Sequence, residues 1–195
     1  DEAIAFYTKA LALKPYYAKA YNNMGTALQD QGKLDEAIEA YTKALSIKPD
    51  YADAYYNMGN ALKGITFEQP NPSLQKTIFS LLDKKSYARP KNIAPAAISL
   101  LKFEPELLRH LQSPSFAEAE PKILKVIADL SKLPLLPKLM SVCPLADIAL
   151  EQLFRSIRAS LLLSISELTG SPEVLNFQSA LALQCFTNEY IYNQT

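Results

Sequence analysis

The sequence predicts an all-α fold, a helix-turn-helix solenoid end followed by an irregular all-helical adaptor domain, and three observations carry that expectation. The first is a repeat: DEAIAFYTKALALKP at Asp1 recurs as DEAIEAYTKALSIKP 34 residues later, and YNNMGTAL at Tyr21 recurs as YYNMGNAL at Tyr55 with the same offset. Self-similarity at such a period marks stacked supersecondary units, each burying its neighbour's apolar face. The second is that apolar residues keep a helical spacing between prolines through the rest of the chain. The third is that no segment alternates with a period of two, so no sheet is expected. On this basis residues 1–64 hold a half repeat, one full repeat and the first helix of a third. Residues 65–85 form a capping helix and linker, and 86–195 the all-helical adaptor.

Taken in order, Glu2 to Leu13 reads as the second helix of a repeat, with Ala3, Ile4, Tyr7, Ala10, Leu11 and Leu13 as its apolar stripe and Pro15 as its stop. With no first helix before it, one apolar flank is expected to be open or covered only by upstream sequence. Ala18 to Gln31 is a first helix packing through Ala20, Tyr21, Met24, Ala27 and Leu28, with Gly25 admitting the backbone of the paired helix. Gly32 supplies the turn, Asp35 is placed to cap, and Asp35 to Ile47 is the second helix, closed by Pro49. Tyr55 to Lys63 is the first helix of a third repeat. There the pattern breaks: Pro70 and Pro72 make 66–71 extended. A helix over 73–83, striped by Leu74, Ile78, Leu81 and Leu82, takes the place of the missing partner and seals the solenoid.

Beyond Ser86 the period is gone. Pro90 and Pro95 are expected to bracket a turn, with short helices over 96–103 and 106–112, a loop at Ser113-Pro114-Ser115, and an amphipathic helix over 118–132. LPLLPKLMSVCPL is apolar and broken by three prolines, so it reads as a buried connector with one short turn of helix. Ala146 to Leu168 is the longest helix, striped by Leu150, Leu153, Phe154, Ile157, Leu161, Ile165 and Leu168, with Glu151 and Arg155 paired on its wet side. Ser171-Pro172-Glu173 restarts the chain as a final helix.

Tyr21, Met24, Gly25, Leu28, Ala37, Tyr41, Ala44 and Pro49 fall where the tetratricopeptide repeat (TPR) has its aromatic, Leu, Gly, Tyr, Ala, Phe, Ala and Pro, and the first third of the chain resembles that family. The resemblance implies a solenoid that presents first-helix side chains along a concave wall to a protein or peptide segment. The candidate partner-binding residues are Lys19, Asn22, Asn23, Thr26 and Asp30 on one helix, with Gln29 beside them, and Tyr56, Asn57 and Asn60 on the next. Asp53 and Lys63 share that second face. Amides both donate to and accept from a peptide backbone, which suits sequence-tolerant holding. In the family the Asn two residues before the repeat glycine often does this, and here those are Asn23 and Asn57. The alternative is that these residues solvate an unused face. Only Lys19 and Lys63 are basic on it, so the clamp that some members use for a terminal carboxylate is not evident.

Composition excludes several classes. Twenty basic residues balance twenty acidic ones, so no global field favours nucleic acid or an anionic membrane. No uncharged apolar run approaches the ~18 residues of a spanning helix and no signal segment is visible, so a cytoplasmic protein is expected. Cys143 and Cys185 lack zinc or disulfide spacing and read as reduced, buried small residues, and the lone His110 has no companion ligand. Cys185 with Asn188, Glu189 and Tyr190 has no base in reach for catalysis. Arg155, Arg158 and Lys138 are a candidate anion site or, alternatively, a solvated helix face. The five glycines are scattered, so no cofactor is expected to bind this chain. The chain opens on a second helix and ends at Asn193-Gln194-Thr195 without a terminating cap, and is expected to be part of something longer.

From about Gly64 onward, segments such as FEQPNPSLQKTIFSLLDKKSYARP and ALALQCFTNEYIY resemble the region that joins tetratricopeptide repeats to a class I S-adenosylmethionine-dependent methyltransferase domain in bacterial and marine-metagenomic proteins. That resemblance implies a recruiting, non-catalytic part of such an enzyme, with S-adenosylmethionine bound downstream of Thr195. Attachment to another enzyme, such as a glycosyltransferase, is an alternative by family analogy. A purely structural scaffold dimerising through Leu153, Phe154 and Leu161 is another. The oligomeric state stays open.

Overall fold

The computed structural model describes residues 2–84, 87–112, 120–163 and 172–192, with side chains described for all of these except 120–122, 162–163 and 185–192. Among the described residues the chain is all α-helical, with no strand. It forms two compact units: Asp1–Ile65 with Asn71–Ala96, and Thr66–Pro70 with Ala97–Thr195. The loop at 113–115, Ile165, Leu168, Ser171 and the side chains of Cys185, Asn188, Glu189 and Tyr190 lie outside the described residues.

In the first unit, α1 (Glu2–Leu13), α2 (Ala18–Asp30), α3 (Leu34–Ile47) and α4 (Ala52–Ala61) follow one another as hairpins. The α2–α3 turn is a Schellman arrangement: Lys33 N–H donates to Leu28 O at 3.0 Å and Gly32 N–H to Gln29 O at 2.9 Å. Gly32 sits at φ 75°, a conformation that costs other residues strain. Lys33, not Asp35, is the N-cap of α3, with no side-chain bond; Asp35 lies one residue inside, where its charge favours the helix dipole. The third first-helix begins at Ala52, three residues ahead of the expected Tyr55, because Ala52 is the repeat counterpart of Ala18. Lys14 over the Tyr17 ring at 5.0 Å recurs as Lys48 over Tyr51 at 5.2 Å, so the period extends to the joints between hairpins.

The repeat glycine serves a ring rather than a backbone. A Cβ on Gly25 would lie 2.6 Å from the Tyr41 ring, and Tyr41 is fully buried. Flanked by α2 alone, α1 leaves Phe6 68% exposed and Ala3 open, whereas their counterparts Ala40 and Ala37 are buried. Leu13, counted in the stripe from sequence, is 89% exposed although Leu11 in the same turn is buried: two positions on, its side chain falls on the opposite face of the helix.

The end of the solenoid is closed by two pieces, not one helix. α5 (Pro72–Asp83) is N-capped by Asn71, whose side chain accepts from Leu74 N–H at 2.9 Å, and has Pro72 at its first position. It buries Leu74, Ile78, Leu81 and Leu82 and packs on α3. The gap at Gly59, the counterpart of Gly25, is filled instead by the segment after α5: a Cβ there would lie 2.6 Å from the Ala88 methyl. Tyr87 stacks on Tyr55 at 6.0 Å, and Gly64 N–H donates to Asn92 O at 3.1 Å. This pinning comes from residues that follow α5, so no helical stripe could announce it.

The helix α6 (Pro90–Leu101) runs through the turn expected between Pro90 and Pro95. Pro95 forfeits the bond to the Lys91 carbonyl, but Lys91 is exposed and water can take that place. Burial of Ile93, Ala94, Ala96, Ala97, Leu100 and Leu101 offsets the loss. The second unit continues with α7 (Pro105–Gln112), α8 (Glu120–Ser131), α9 (Leu135–Val142), α10 (Ile148–Leu163) and α11 (Pro172–Tyr192). The apolar connector is thus a two-turn helix, α9. Its Pro137 lies in the first turn, where the missing N–H has no intrahelical acceptor to satisfy. α10 starts at Ile148, with Asp147 accepting from Leu150 N–H at 3.1 Å and paired through its other oxygen with Lys102. Leu107, Ile127, Leu136, Leu139, Leu150, Ile157 and Phe177 are fully buried, and Phe154 meets Phe177 edge-on at 6.4 Å.

Candidate functional site

The residues singled out on the repeat face all belong to α2 and α4, which pack against each other in the first unit. Lys19, Thr26, Asp30, Tyr56 and Asn60 are exposed, Tyr56 at 57%; Asn23 and Asn57 are half-buried; Asn22 is 6% exposed. Three of them join. Asn57 Nδ2 donates to Asn22 Oδ1 at 3.1 Å, and Asn22 Nδ2 donates to Asn23 Oδ1 at 3.4 Å. Asn22 is therefore spent as a link, its amide occupied at both ends. Asn23 Nδ2 and Asn57 Oδ1 keep no partner among the described residues. The wall thus offers a donor on α2 and an acceptor on α4, held in register by a buried amide whose own polar atoms are satisfied.

Thr26 and Gln29 are drawn partly inward. Tyr41 O–H lies 3.0 Å from Gln29 Oε1 and 3.4 Å from Thr26 Oγ1, and the Thr26 hydroxyl donates to the Asn22 carbonyl at 3.2 Å. Burial pushes the Tyr41 phenol above its usual range, while its contact with Thr26 works the other way. The proton stays on the oxygen, and the ring that fills the Gly25 gap also steadies the wall from behind. The sequence carried one overlooked sign of this: Asn22 is four residues from Ala18 and three from Gly25, both buried, so helical spacing places it on the inner flank.

In the second unit the structure brings together groups that pattern reading did not. Asp129 on α8 is 7% exposed and meets His110 Nε2 at 3.2 Å, Lys132 Nζ at 3.2 Å and Arg109 Nη1 at 3.7 Å. Burial raises its pKa, but hydrogen bonds from Lys132 and His110 and their charges outweigh that and hold the carboxyl below its usual range. A carboxyl depressed on folding contributes stability above its unfolded value, ~3.9, and that contribution is lost as pH falls through the folded value. Acid titration of unfolding should therefore show wild type losing more stability below about pH 4 than Asp129→Asn does. Parallel curves would remove Asp129 from the account.

The remaining sequence candidates are accounted for locally. Cys143 is a free thiol, 6% exposed, and burial pushes its pKa up to about 11, so it is held as an unreactive small core residue. Arg155 pairs with Glu151 at 3.7 Å. Of the stripe offered for dimerisation, Leu153 and Phe154 are 4% and 2% exposed and so already covered within one chain, while Leu161 is half-buried. None of the described helices is long and apolar enough to cross a membrane.

Successive hairpins at a 34-residue interval, with a Tyr ring seated on a repeat glycine, define a helical-repeat segment. The family described as "TPR repeat" matches residues 25–64, and "Tetratricopeptide repeat" matches residues 6–39, so residues 6–64 are a tetratricopeptide-repeat segment. Such repeats generally bind protein partners. No curated protein matches the chain.

Proposed function

We propose that the tetratricopeptide segment holds an extended stretch of a partner polypeptide on the wall formed by α2 and α4, with Asn23 and Asn57 as the contacting amides. The observation that carries this reading is the Asn57–Asn22–Asn23 chain, which leaves one donor and one acceptor open at fixed positions. A main chain in extended form presents complementary groups at every residue, so pre-set amides hold it without reading its side chains. Asn23→Ala with Asn57→Ala, probed on an array of peptides from disordered protein segments, should lose bound peptides by about tenfold. The pair also strands the buried Asn22 amide and costs stability, so binding is read at a temperature where circular dichroism shows the variant folded. An unaltered binding pattern would refute the amide wall.

The finer proposal is that the chain is the recruiting, non-catalytic part of a methyltransferase that takes S-adenosylmethionine in a domain beyond Thr195, in the cytoplasm. Its support is the resemblance of residues 64–195 to the joining region of such enzymes. Reading the gene downstream tests it: a glycine-rich strand-to-helix turn supports the link, and its absence ends it.

A further inference from the structure

We infer that the α2–α4 wall takes a guest segment of low net charge and discriminates against acidic and basic tails alike. This rests on the peptide-holding reading above and names the class of partner. The observation behind it is the placement of charge. Lys19 near the start of α2 has Asp53 as its counterpart 34 residues on, and Asp30 at the end of α2 is answered by Lys63 just past α4. The Asn22–Asn57 hydrogen bond joins the fifth residue of α2 to the sixth of α4, and the two helices pack against each other, so equivalent positions lie side by side. Among the four charged residues on that face each end therefore carries one charge of each sign, in crosswise order, and these four sum to zero; Lys14 and Lys48 lie off the face, over the Tyr17 and Tyr51 rings in the joints between hairpins.

All four charged side chains belong to exposed residues, and none has an ion pair among the described residues. They are not spent on holding the fold. A guest bearing a run of like charge meets attraction at one corner and repulsion at the next, so its charges gain nothing net while still losing part of their hydration. An uncharged guest escapes that cost. What remains to hold it is the pair of open amides and Tyr56, whose exposed ring lies one residue from Asn57 and offers an apolar face to a single side chain. The matching partner is a disordered stretch rich in Ser, Thr, Asn, Gln or Pro with an occasional apolar residue, extended before it arrives.

The test is fluorescence anisotropy on the whole 195-residue chain with three labelled peptides of one length. One is a Ser-Thr-Asn-Gln sequence with a central Tyr, one the same sequence with Glu at alternate positions, and one with Lys at those positions. The neutral peptide should bind at least ~fivefold more tightly than either other, with a Kd that shifts less than ~twofold when salt is raised to physiological strength. Asp30→Asn with Asp53→Asn leaves Lys19 and Lys63 unbalanced and should tighten the Glu peptide by about threefold at low salt only. If the Glu or Lys peptide binds wild type most tightly and salt weakens it steeply, this inference is overturned while the peptide-holding reading stands. An unchanged Kd of the Glu peptide in the double variant also overturns it. Failure of all three peptides to bind a chain that circular dichroism shows to be folded overturns both.

Discussion

Tyr41→Ala is expected to lower the stability of the repeat unit by about 4 kcal/mol, the largest loss from any single substitution there. The side chain is fully buried, and its ring fills the space left by the missing Cβ of Gly25. Truncation removes the ring's contacts with α2 and leaves a cavity between the two helices that pack most extensively in this unit, and a backbone glycine has nothing with which to fill it. Tyr41→Phe keeps the ring and drops only the hydroxyl contacts to Gln29 and Thr26, so it should cost about 1 kcal/mol. Gly25→Ala attacks the same contact from the other side and should fall between the two, since a methyl 2.6 Å from a packed ring forces one of them to move. Hydrogen exchange of α2 and α3 amides reads all three. Equal, small losses for the Ala and Phe variants would show that the ring is not what joins the hairpin.

The repeat half was legible because the 34-residue period repeats its own evidence: Gly25 recurs as Gly59, Pro15 as Pro49, and Ala18 and Ala20 as Ala52 and Ala54. What the period could not show was where equivalence ends. Asn22 and Tyr56 are counterparts, yet one is buried and the other exposed, because α4 lies over Asn22 and no further first-helix lies over Tyr56. The hydrogen bond that organises the wall joins Asn22 to Asn57, positions that do not correspond in the repeat, and comparison of like with like passes over it.

In the second half, helix existence followed from apolar spacing, but prolines misled. Pro95 and Pro137 read as breaks in the sequence, whereas one is tolerated through burial around it and the other sits where a helix needs no N–H. Asp129 and Gln184 escaped notice for a different reason. Each is a single polar residue in an apolar stripe, and partners far along the chain, Arg109 and His110 for Asp129 and Met140, Cys143 and Leu145 for Gln184, give it meaning.

Gln184→Ala should be the most damaging polar substitution in the second unit, at about 3 kcal/mol. Helix α9 stops at Cys143, and the next residue is Pro144. In a continuing helix the Met140 carbonyl would accept from the N–H four residues on, but a proline there has none to give. Gln184, 1% exposed on α11, supplies the missing donor: its Nε2 lies 2.6 Å from Met140 O and 2.8 Å from Cys143 O, while its Oε1 accepts from Leu145 N–H at 3.4 Å. Truncation strands two carbonyls and one N–H in an apolar setting and also opens a void, so the penalty exceeds that of an ordinary lost bond. Gln184→Met retains the bulk and isolates the polar part, and Gln184→Glu is expected to be worse than Met, because an ionised carboxylate cannot donate to either carbonyl. The local readout is Cys143, whose own N–H and thiol both reach back to Leu139 O. In a Cys185→Ser background, where one thiol reports, its modification by a disulfide reagent should be slow in the parent and at least ~tenfold faster once Gln184 is truncated, because opening of this segment then costs less. Unchanged thiol reactivity together with unchanged unfolding would mean that the α9 terminus does not depend on this side chain.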